Sequence, residues 1–476
     1  MIAVVVIFYL FLSLLVGASL SRRIKKASDF LVAGRKLGLP LTTATLSAVQ
    51  IGAGVILGGS EMGAASGIWP GFWYGLGCGG GLILAGLVVA ARLRGHGGIV
   101  PLDFFADRYG ERRWIRIWGW LSNIPSLLGI LVAQLIAAGA VLSVFGLKFQ
   151  VGIMLVGVVL LFYSVMGGMW GVVVVDFIQI SIIVLSIPLV ALISVLRLPS
   201  FAAFRSVLAT PFIPAGMFSK AVFLVVPFLL SISVSYDAFM RYQSARSARI
   251  AKWGCILSGL IVIFISFCTA LIGATGKVLF PGVETGSVLP HMAAAALPTI
   301  LAGIVVAALL AAVMSSGNCL LISLSGCFSR DFYNMVLNPR AKLDDLKYGK
   351  IISRLTVVIS LTAAVLLSFK AKGILNTIII FNYPYMGSML IPLLGGALWR
   401  GATRQGAFAA VVVGGMIGLV FFGLGLPGPS GQKVSVDLGL FIAYLASLAV
   451  FVSVSGLTRR SADSSSKNAL STGTAP

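Results

Sequence analysis

The stretch Ala311-Ala312-Val313-Met314-Ser315-Ser316-Gly317-Asn318-Cys319 places two adjacent serines inside an apolar segment that runs from about residue 301 to residue 327. Within a bilayer no water solvates a hydroxyl group, so polar side chains there face the protein interior or a cavity. On a helix Ala312, Ser315 and Ser316 stand at i, i+3 and i+4 and share one face. One carbonyl and two hydroxyl oxygens on one face suit a small hard cation such as sodium. Alternatively, the serines hydrogen-bond across a helix interface or to their own backbone.

The composition of the chain indicates an all-α integral membrane protein. Of its 476 residues 59% are hydrophobic and 10% are charged, and the mean hydropathy is +1.05, far from that of soluble globular domains. Apolar windows long enough to cross a bilayer as a helix recur along nearly the whole chain. We identify about thirteen such windows, at residues 2–20, 41–67, 71–92, 117–143, 150–168, 171–197, 221–239, 253–276, 292–327, 351–369, 374–398, 406–426 and 437–457.

The net charge of +22 at first resembles that of a nucleic-acid-binding protein, but its distribution favours a membrane protein. If the N-terminus lies outside, most of the 35 lysines and arginines fall on the inner side, at residues 22–36, 92–116, 241–252, 330–354, 400–404 and in the tail. This asymmetry follows the positive-inside rule. It predicts a multi-pass protein of the plasma or inner membrane with a cytoplasmic C-terminus. The predicted large partner is a lipid bilayer and not nucleic acid.

Several other classes of protein are excluded or disfavoured by the sequence. It contains no Gly-rich Walker loop, which excludes ATP-driven transport by this chain alone. It has two histidines, His96 and His291, and no arrangement of nucleophile and base that predicts an enzyme or a bound cofactor. The Ser/Ala/Thr-rich tail from Ser461 is predicted to be disordered. The five cysteines show neither metal spacing nor a disulfide pattern: Cys78, Cys255, Cys268, Cys319 and Cys327.

Charged side chains inside the apolar windows are scarce, which makes Asp176 conspicuous. It lies in a run that is otherwise apolar for a turn or more on each side. One interpretation is a carboxylate at the membrane interface, and the other is a carboxylate that attracts an ion on its way to the cytoplasm. Glu61 and Asp237 lie nearer the ends of windows, where a solvated location is predicted. No arginine or lysine is predicted at the membrane midplane.

Two windows carry signals for broken helices. Residues 46–59 contain four glycines within eight positions, and glycine costs about 1 kcal/mol relative to alanine in a helix interior. Residues 226–236 contain Pro227, which removes a backbone hydrogen bond, and the alternating serines Ser231, Ser233 and Ser235. Close packing through small residues is the alternative for the glycines. The second break lies five windows after the first, as expected for an inverted repeat of five plus five helices.

This repeat divides the chain into five predicted parts. They are a first helix and loop at 1–40, a first repeat at 41–197, a second repeat at 221–398, two peripheral helices at 399–457 and a cytoplasmic tail at 458–476.

Five motifs stand in order along the chain: Asp29–Arg35 (DFLVAGR), Tyr163–Gly168 with Val175–Gln179 (YSVMGG and VDFIQ), Met240–Arg246 (MRYQSAR), Ala311–Tyr333, and Trp399–Ala407 (WRGATRQGA). Together they resemble motifs of the sodium:solute symporter family, which includes sodium/proline, sodium/pantothenate, sodium/sialic acid and sodium/glucose transporters. Val175 departs from the family pattern, which has threonine there, and the first glutamine of the third motif is absent. The resemblance implies a leucine-transporter-like fold.

The resemblance also implies a sodium site and an exit route. Asp176 matches the family's aspartate on the intracellular route of sodium exit. Asn318 and Cys319 replace hydroxyl residues at the position where some members bind a second sodium, which argues against a second ion here. Sodium, the coupling ion, is implied to bind the carbonyl oxygens of Ala48, Ile51 and Ala312 and the hydroxyl oxygens of Ser315 and Ser316.

The solute is less clearly indicated than the ion. Gly54 and Val55 stand where sugar carriers have larger polar residues, and buried sugar hydroxyls need partners, so a sugar is disfavoured. An amino acid or a monocarboxylate fits better. By resemblance, the solute contacts come from Gln50, Gly54, Val55, Ser231, Ser235, Asn382 and Tyr383.

The predicted function is therefore sodium-coupled symport of a small organic solute by alternating access. Two alternatives stay open. One is a proton-coupled carrier of the same fold, in which a titratable or cationic residue would replace the serine pair. The other is a transporter-like membrane sensor, which would be expected to carry a signalling domain.

Overall fold

The computed structural model describes residues 2–20, 26–340, 342–345, 348–371, 373–425 and 436–471. The named elements of this part of the chain are all helical. The α-helices are α1 (Ile2–Leu20), α2 (Ala27–Val32), α3 (Leu39–Gln50), α4 (Gly59–Ser66), α5 (Ile68–Leu84), α6 (Ala90–Gly95), α7 (Pro101–Tyr109), α8 (Arg113–Ser143), α9 (Phe149–Leu196), α10 (Phe201–Leu208), α11 (Phe218–Ile232), α12 (Tyr236–Ser244), α13 (Ala248–Leu279), α14 (Val288–Ala296), α15 (Thr299–Gly326), α16 (Gly349–Ser368), α17 (Ile374–Ser388), α18 (Leu390–Leu398), α19 (Arg404–Gly425) and α20 (Val436–Ser471).

Membrane-spanning helices make up most of the structure. Within the described residues nine helices are long and apolar enough to cross a membrane, and two bent helix pairs raise that number to eleven. The predicted windows 150–168 and 171–197 both fall on α9, whose 48 residues would extend about 72 Å. That is more than twice the hydrocarbon thickness of about 30 Å. The backbone leaves helical geometry at Gly168 (φ 48°, ψ −158°), where the positive φ favours glycine, so α9 consists of two helical segments. The full number of thirteen spans stays a prediction.

The glycine-rich window is broken, as the sequence predicts. Helix α3 ends at Gln50, and Ile51 (φ −83°, ψ 61°) is the first residue outside it. Residues Gly54–Gly58 form a π-helical turn that leads into α4. The two halves of the span are bent by 57°. The break leaves the last carbonyl groups of α3 without intrahelical partners.

The second predicted break is also present, but Pro227 does not form it. Pro227 lies inside α11, and the chain leaves the helix between Ile232 and Tyr236. Tyrosine hydroxyls satisfy two carbonyl groups there: Tyr385 donates to Val234 O (2.6 Å) and Tyr242 donates to Ser233 O (3.3 Å). A third bend, of 50° between Thr377–Ser388 and Leu390–Leu398, lies in a window for which the sequence predicts an unbroken span.

Helix α15 is the central helix and carries the serine pair. In its most apolar 18-residue window 83% of the residues are buried, and it packs against α1, α3, α8, α9 and α16. It begins after Pro298. Proline has no N–H that could donate to a carbonyl group of the preceding turn, so α14 does not continue into α15. Residues 292–296, which the sequence assigns to the same span, belong to the separate helix α14. At the other end of the chain, α20 continues to Ser471, so the described part of the predicted disordered tail is helical.

Candidate sodium and solute site

The serine pair contacts the broken end of α3. Ser315 and Ser316 are completely buried. The Ser315 hydroxyl donates to Ala48 O (3.1 Å) and Ala312 O (3.0 Å). The Ser316 hydroxyl donates to Ala48 O (2.9 Å) and Val49 O (3.0 Å). Four of the five residues predicted as sodium ligands therefore meet at one place, where α15 crosses the end of α3.

The geometry of this site follows from the helix break. Ala48 and Val49 lie in the last turn of α3, where carbonyl oxygens have no i+4 amide to accept from. The fifth predicted ligand, Ile51, is completely buried at the first position beyond the helix. Gln134 of α8 fixes the next residues, because its Oε1 accepts from Ala53 N (2.8 Å).

The donor set suits a monovalent hard cation. A serine hydroxyl carries two acceptor lone pairs and can rotate its proton away from an ion. Unwound carbonyl groups of broken helices are typical ligands of Na⁺ in secondary transporters. Among the described residues no cluster of three or more His, Cys, Asp and Glu side chains is arranged to hold a metal ion. The oxygens that the serine pair and the end of α3 bring together are neutral hydroxyl and carbonyl oxygens.

Asp176 is buried beside this site. Its side chain is completely inaccessible to solvent, and its Oδ2 accepts from the Thr45 hydroxyl (2.6 Å) and the Cys319 thiol (3.5 Å). Thr45 precedes Ala48 by three residues, and Cys319 follows Ser316 by three. Asp176 therefore lies about one helical turn, roughly 4.5 Å along the axes, from the serine pair.

One expectation about charge is wrong: Asp237 is only 5% exposed, whereas the sequence predicts a solvated position. Arg241, which the sequence assigns to the basic inner connection 241–252, is completely buried. The Arg241 Nε donates to the Thr45 hydroxyl (3.2 Å), and its Nη1 donates to the carbonyl oxygen of Asp237 (2.6 Å). Both residues lie near the end of window 221–239, where the local sequence predicts a solvated position. The break between α11 and α12 turns α12 inward, and the sequence does not show how far.

A small cavity of about 50 Å³, lined by both polar and apolar residues, adjoins the break of α3. Five of the residues predicted to contact solute line it: Gln50, Gly54, Ser231, Ser235 and Asn382. Val55 does not, because it is buried against α13, with its carbonyl accepting from Thr269 (3.0 Å). The side chain of Tyr383 lies outside the described part of the chain, whereas Tyr385 lines the cavity.

Sequence reasoning missed part of the cavity lining. Asn123, Ser126 and Gln134 reach it from α8, and Tyr74 reaches it from α5. The Ser126 hydroxyl donates to Asn382 Oδ1 (2.6 Å), which joins α8 to α17. The three residues of α8 could have been found from the sequence, because they are polar residues in the otherwise apolar window 117–143.

A buried ion-pair network joins α7 and α8 to the π-helical segment that follows α15. Arg116 donates to Asp103 (2.9 Å), Glu111 (3.0 Å) and Asp331 (2.9 Å). Burial alone would raise the pKa of the Asp103 carboxyl group, but Arg116 and Arg330 outweigh this effect and hold that pKa below its usual value. The sequence places these residues in basic inner connections and gives no indication of their pairing.

Comparisons with known proteins agree with this fold. Residues 30–414 match the profile of the sodium:solute symporter family. A sodium/proline symporter of Staphylococcus aureus is 23% identical over 480 residues, covering 96% of this chain and 93% of the relative. The sodium/proline symporter of S. aureus strain JH9 is 24% identical over 456 residues, covering 91% and 88%.

Two solved structures share the fold. A Na⁺-coupled sialic acid symporter in a substrate-bound, outward-open state has a TM-score of 0.79 at 18% identity, with 96% of this chain and 97% of that chain covered. Mhp1, a nucleobase-cation-symport-1 family transporter in a closed conformation with bromovinylhydantoin bound, has a TM-score of 0.56 at 14% identity, with 91% and 95% covered.

These findings define a sodium-coupled secondary transporter with a leucine-transporter-type fold, which is the fold class predicted from the sequence. The chain belongs to the sodium:solute symporter family. Its relatives are transporters and not enzymes. Sodium is the coupling ion, and the chain is a multi-pass membrane protein.

Proposed function

We propose that this symporter couples sodium bound at Ala48, Ile51, Ala312, Ser315 and Ser316 to import of an amino acid or a monocarboxylate. The observation that carries the proposal is the contact of both serine hydroxyls with carbonyl groups freed by the break of α3. The same break borders the cavity, so ion and solute would share one unwound segment. Occupation of either site would then favour the backbone geometry that the other needs.

A small solute is supported by the size and lining of the cavity. Its volume of about 50 Å³ is well below the roughly 300–1,000 Å³ of sites for drug-sized ligands. Gln50, Ser231, Ser235 and Asn382 give it a few polar groups, which suffice to orient a solute with one or two polar ends. A sugar would need more partners for its hydroxyl groups. The sodium/proline symporters among the relatives are consistent with an amino acid.

We propose an N-terminus outside and a C-terminus in the cytoplasm of the cell membrane, from the distribution of lysine and arginine. In this orientation α3 begins and α15 ends on the cytoplasmic side. Asp176, displaced from the serine pair toward those ends, would lie on the route by which sodium leaves. A C-terminal reporter that is active only outside the cytoplasm should stay silent, and activity of that reporter would reverse the orientation.

Binding of sodium is tested by thermal unfolding of the purified full-length protein in NaCl and in KCl. Sodium should raise the melting temperature and potassium should not, because a ligand that binds only the native state stabilises it by mass action. Equal stabilisation by the two salts would contradict the sodium site. A sodium-independent response that grows as pH falls would favour the proton-coupled carrier instead.

A further inference from the structure

We propose that Asp237 recognises a protonated amine, so that the solute is an amino acid and not a monocarboxylate. This inference rests on the proposed function and names the solute class for the same cavity. None of the comparisons assigns a role to Asp237.

The first argument is the position of Asp237. It is the second residue of α12, directly after the break that follows α11, and its side chain lines the cavity with Gln50, Ser231 and Tyr385. Only 5% of the residue is exposed. A carboxylate in the first turn of a helix is favoured by the helix dipole, but that effect does not require it to face the cavity.

The second argument is that no cationic side chain directly contacts this carboxylate. Asp237 Oδ2 accepts one hydrogen bond from Gln50 Nε2 (3.2 Å), and that donor is neutral. Among the described residues no ion pair includes Asp237. A buried carboxylate with no cation in direct contact carries a desolvation cost that a cationic ligand would offset.

The third argument is the charge balance around Arg241. The Arg241 guanidinium contacts the backbone carbonyl of Asp237 rather than its carboxylate, and it reaches Asp176 through the Thr45 hydroxyl. One guanidinium therefore lies between two carboxyl groups. An ammonium group in the cavity would supply the missing positive charge on the side of Asp237, while sodium at the serine pair would lie on the side of Asp176.

These charges also set the orientation of the solute. The carboxylate of a monocarboxylate would meet Asp237 within a cavity of about 50 Å³ and would be repelled. An amino acid avoids this repulsion by directing its ammonium group to Asp237 and its carboxylate toward the broken end of α3 and the sodium ion. The geometry thus favours a zwitterion over an anion of similar size.

The test measures thermal stabilisation of the purified full-length protein, in saturating NaCl, by the standard amino acids and by acids that lack only the amine. Alanine is matched with propionate, and proline with cyclopentanecarboxylate. At least one amino acid should stabilise the wild-type protein, and its matched acid should be at least about tenfold weaker, since it lacks the charged partner of a buried carboxylate. Equal effects of the matched acids, or no effect of any amino acid while sodium still stabilises, would overturn the inference.

Two variants separate recognition of the amine by Asp237 from a role of this residue in sodium binding. Asp237→Asn should weaken binding of the stabilising amino acid at least about tenfold while the stabilisation by sodium alone is retained. Asp107→Asn, the same change at an exposed carboxylate of α7, is the matched control and should leave both responses unchanged. Asp237→Asn with intact amino-acid binding would overturn the inference, as would loss of the sodium response, which would make Asp237 a sodium ligand. Loss of every sodium response in the wild type would instead contradict the proposed function.

Discussion

Asp176→Asn is expected to slow sodium-driven uptake by about tenfold or more, which corresponds to ~1.4 kcal/mol in the barrier. The amide keeps the size of the carboxyl group and can still accept from Thr45, so the fold should survive. The negative charge one turn from the serine pair is lost, and sodium leaving that pair would meet the Arg241 charge without its counter-charge. Uptake into proteoliposomes, normalised to the amount of protein, measures the effect.

Two further variants make this prediction specific to the charge of Asp176. Asp176→Glu keeps the charge and should retain more activity than Asp176→Asn. Thr45→Val removes the hydroxyl that donates to Asp176 and accepts from Arg241, and it should give an intermediate loss. If Asp176→Asn transports at the wild-type rate with wild-type sodium dependence, the carboxylate has a packing role and the exit route lies elsewhere.

The elements that the sequence predicted well are those governed by local rules. Apolar windows mark helices because the bilayer leaves the backbone no partner other than itself. The glycines of residues 46–59 marked the break after Gln50 because they lower local helix propensity. The serine pair was recognisable because hydroxyl groups are costly in an apolar helix, and its contacts with Ala48 follow from the break.

The features that the sequence did not predict depend on how separate helices meet. Asp237 and Arg241 lie near the end of an apolar window, where local sequence indicates a solvated position. Their burial results from the turn at Ser233–Ser235, which shifts α12 inward against α3 and α6. The pairing of Arg116 with Asp331, 215 residues away, likewise depends on tertiary packing. Neither hydropathy nor charge pattern carries that information.

The solute cavity illustrates both what the family resemblance predicts and what it does not. Gln50 and Asn382 were predicted by analogy with the family, and both line the cavity. Val55 was predicted to contact solute by the same analogy, but it does not line the cavity; it is buried, and its carbonyl oxygen accepts from Thr269 of α13. The resemblance therefore locates the region of the cavity, whereas its individual lining residues depend on the local geometry of the broken helix.

Gly52→Ala is expected to raise the sodium concentration for half-maximal uptake about tenfold or more, as is Ser316→Ala. A methyl group at Gly52 would lie 2.5 Å from the Ser316 hydroxyl and 2.8 Å from Gln134 Oε1. Both side chains can rotate away, so the protein should still fold, but Ser316 would leave the broken end of α3. Ser316→Ala removes the same oxygen directly, at a cost of about 1–3 kcal/mol. Sodium titration of uptake measures both variants.

The matched control for the glycine substitution is Gly157→Ala in α9, where the nearest atom to the added methyl group is Val365 Cγ2 at an ordinary 3.4 Å. This variant should keep the wild-type sodium dependence. Because Gly52→Ala and Ser316→Ala act on one hydroxyl group, the double variant should be little worse than either single variant, whereas independent effects would multiply. Unchanged sodium dependence in both single variants would return the serine pair to a helix-packing role, and a multiplicative double variant would separate Gly52 from the sodium site.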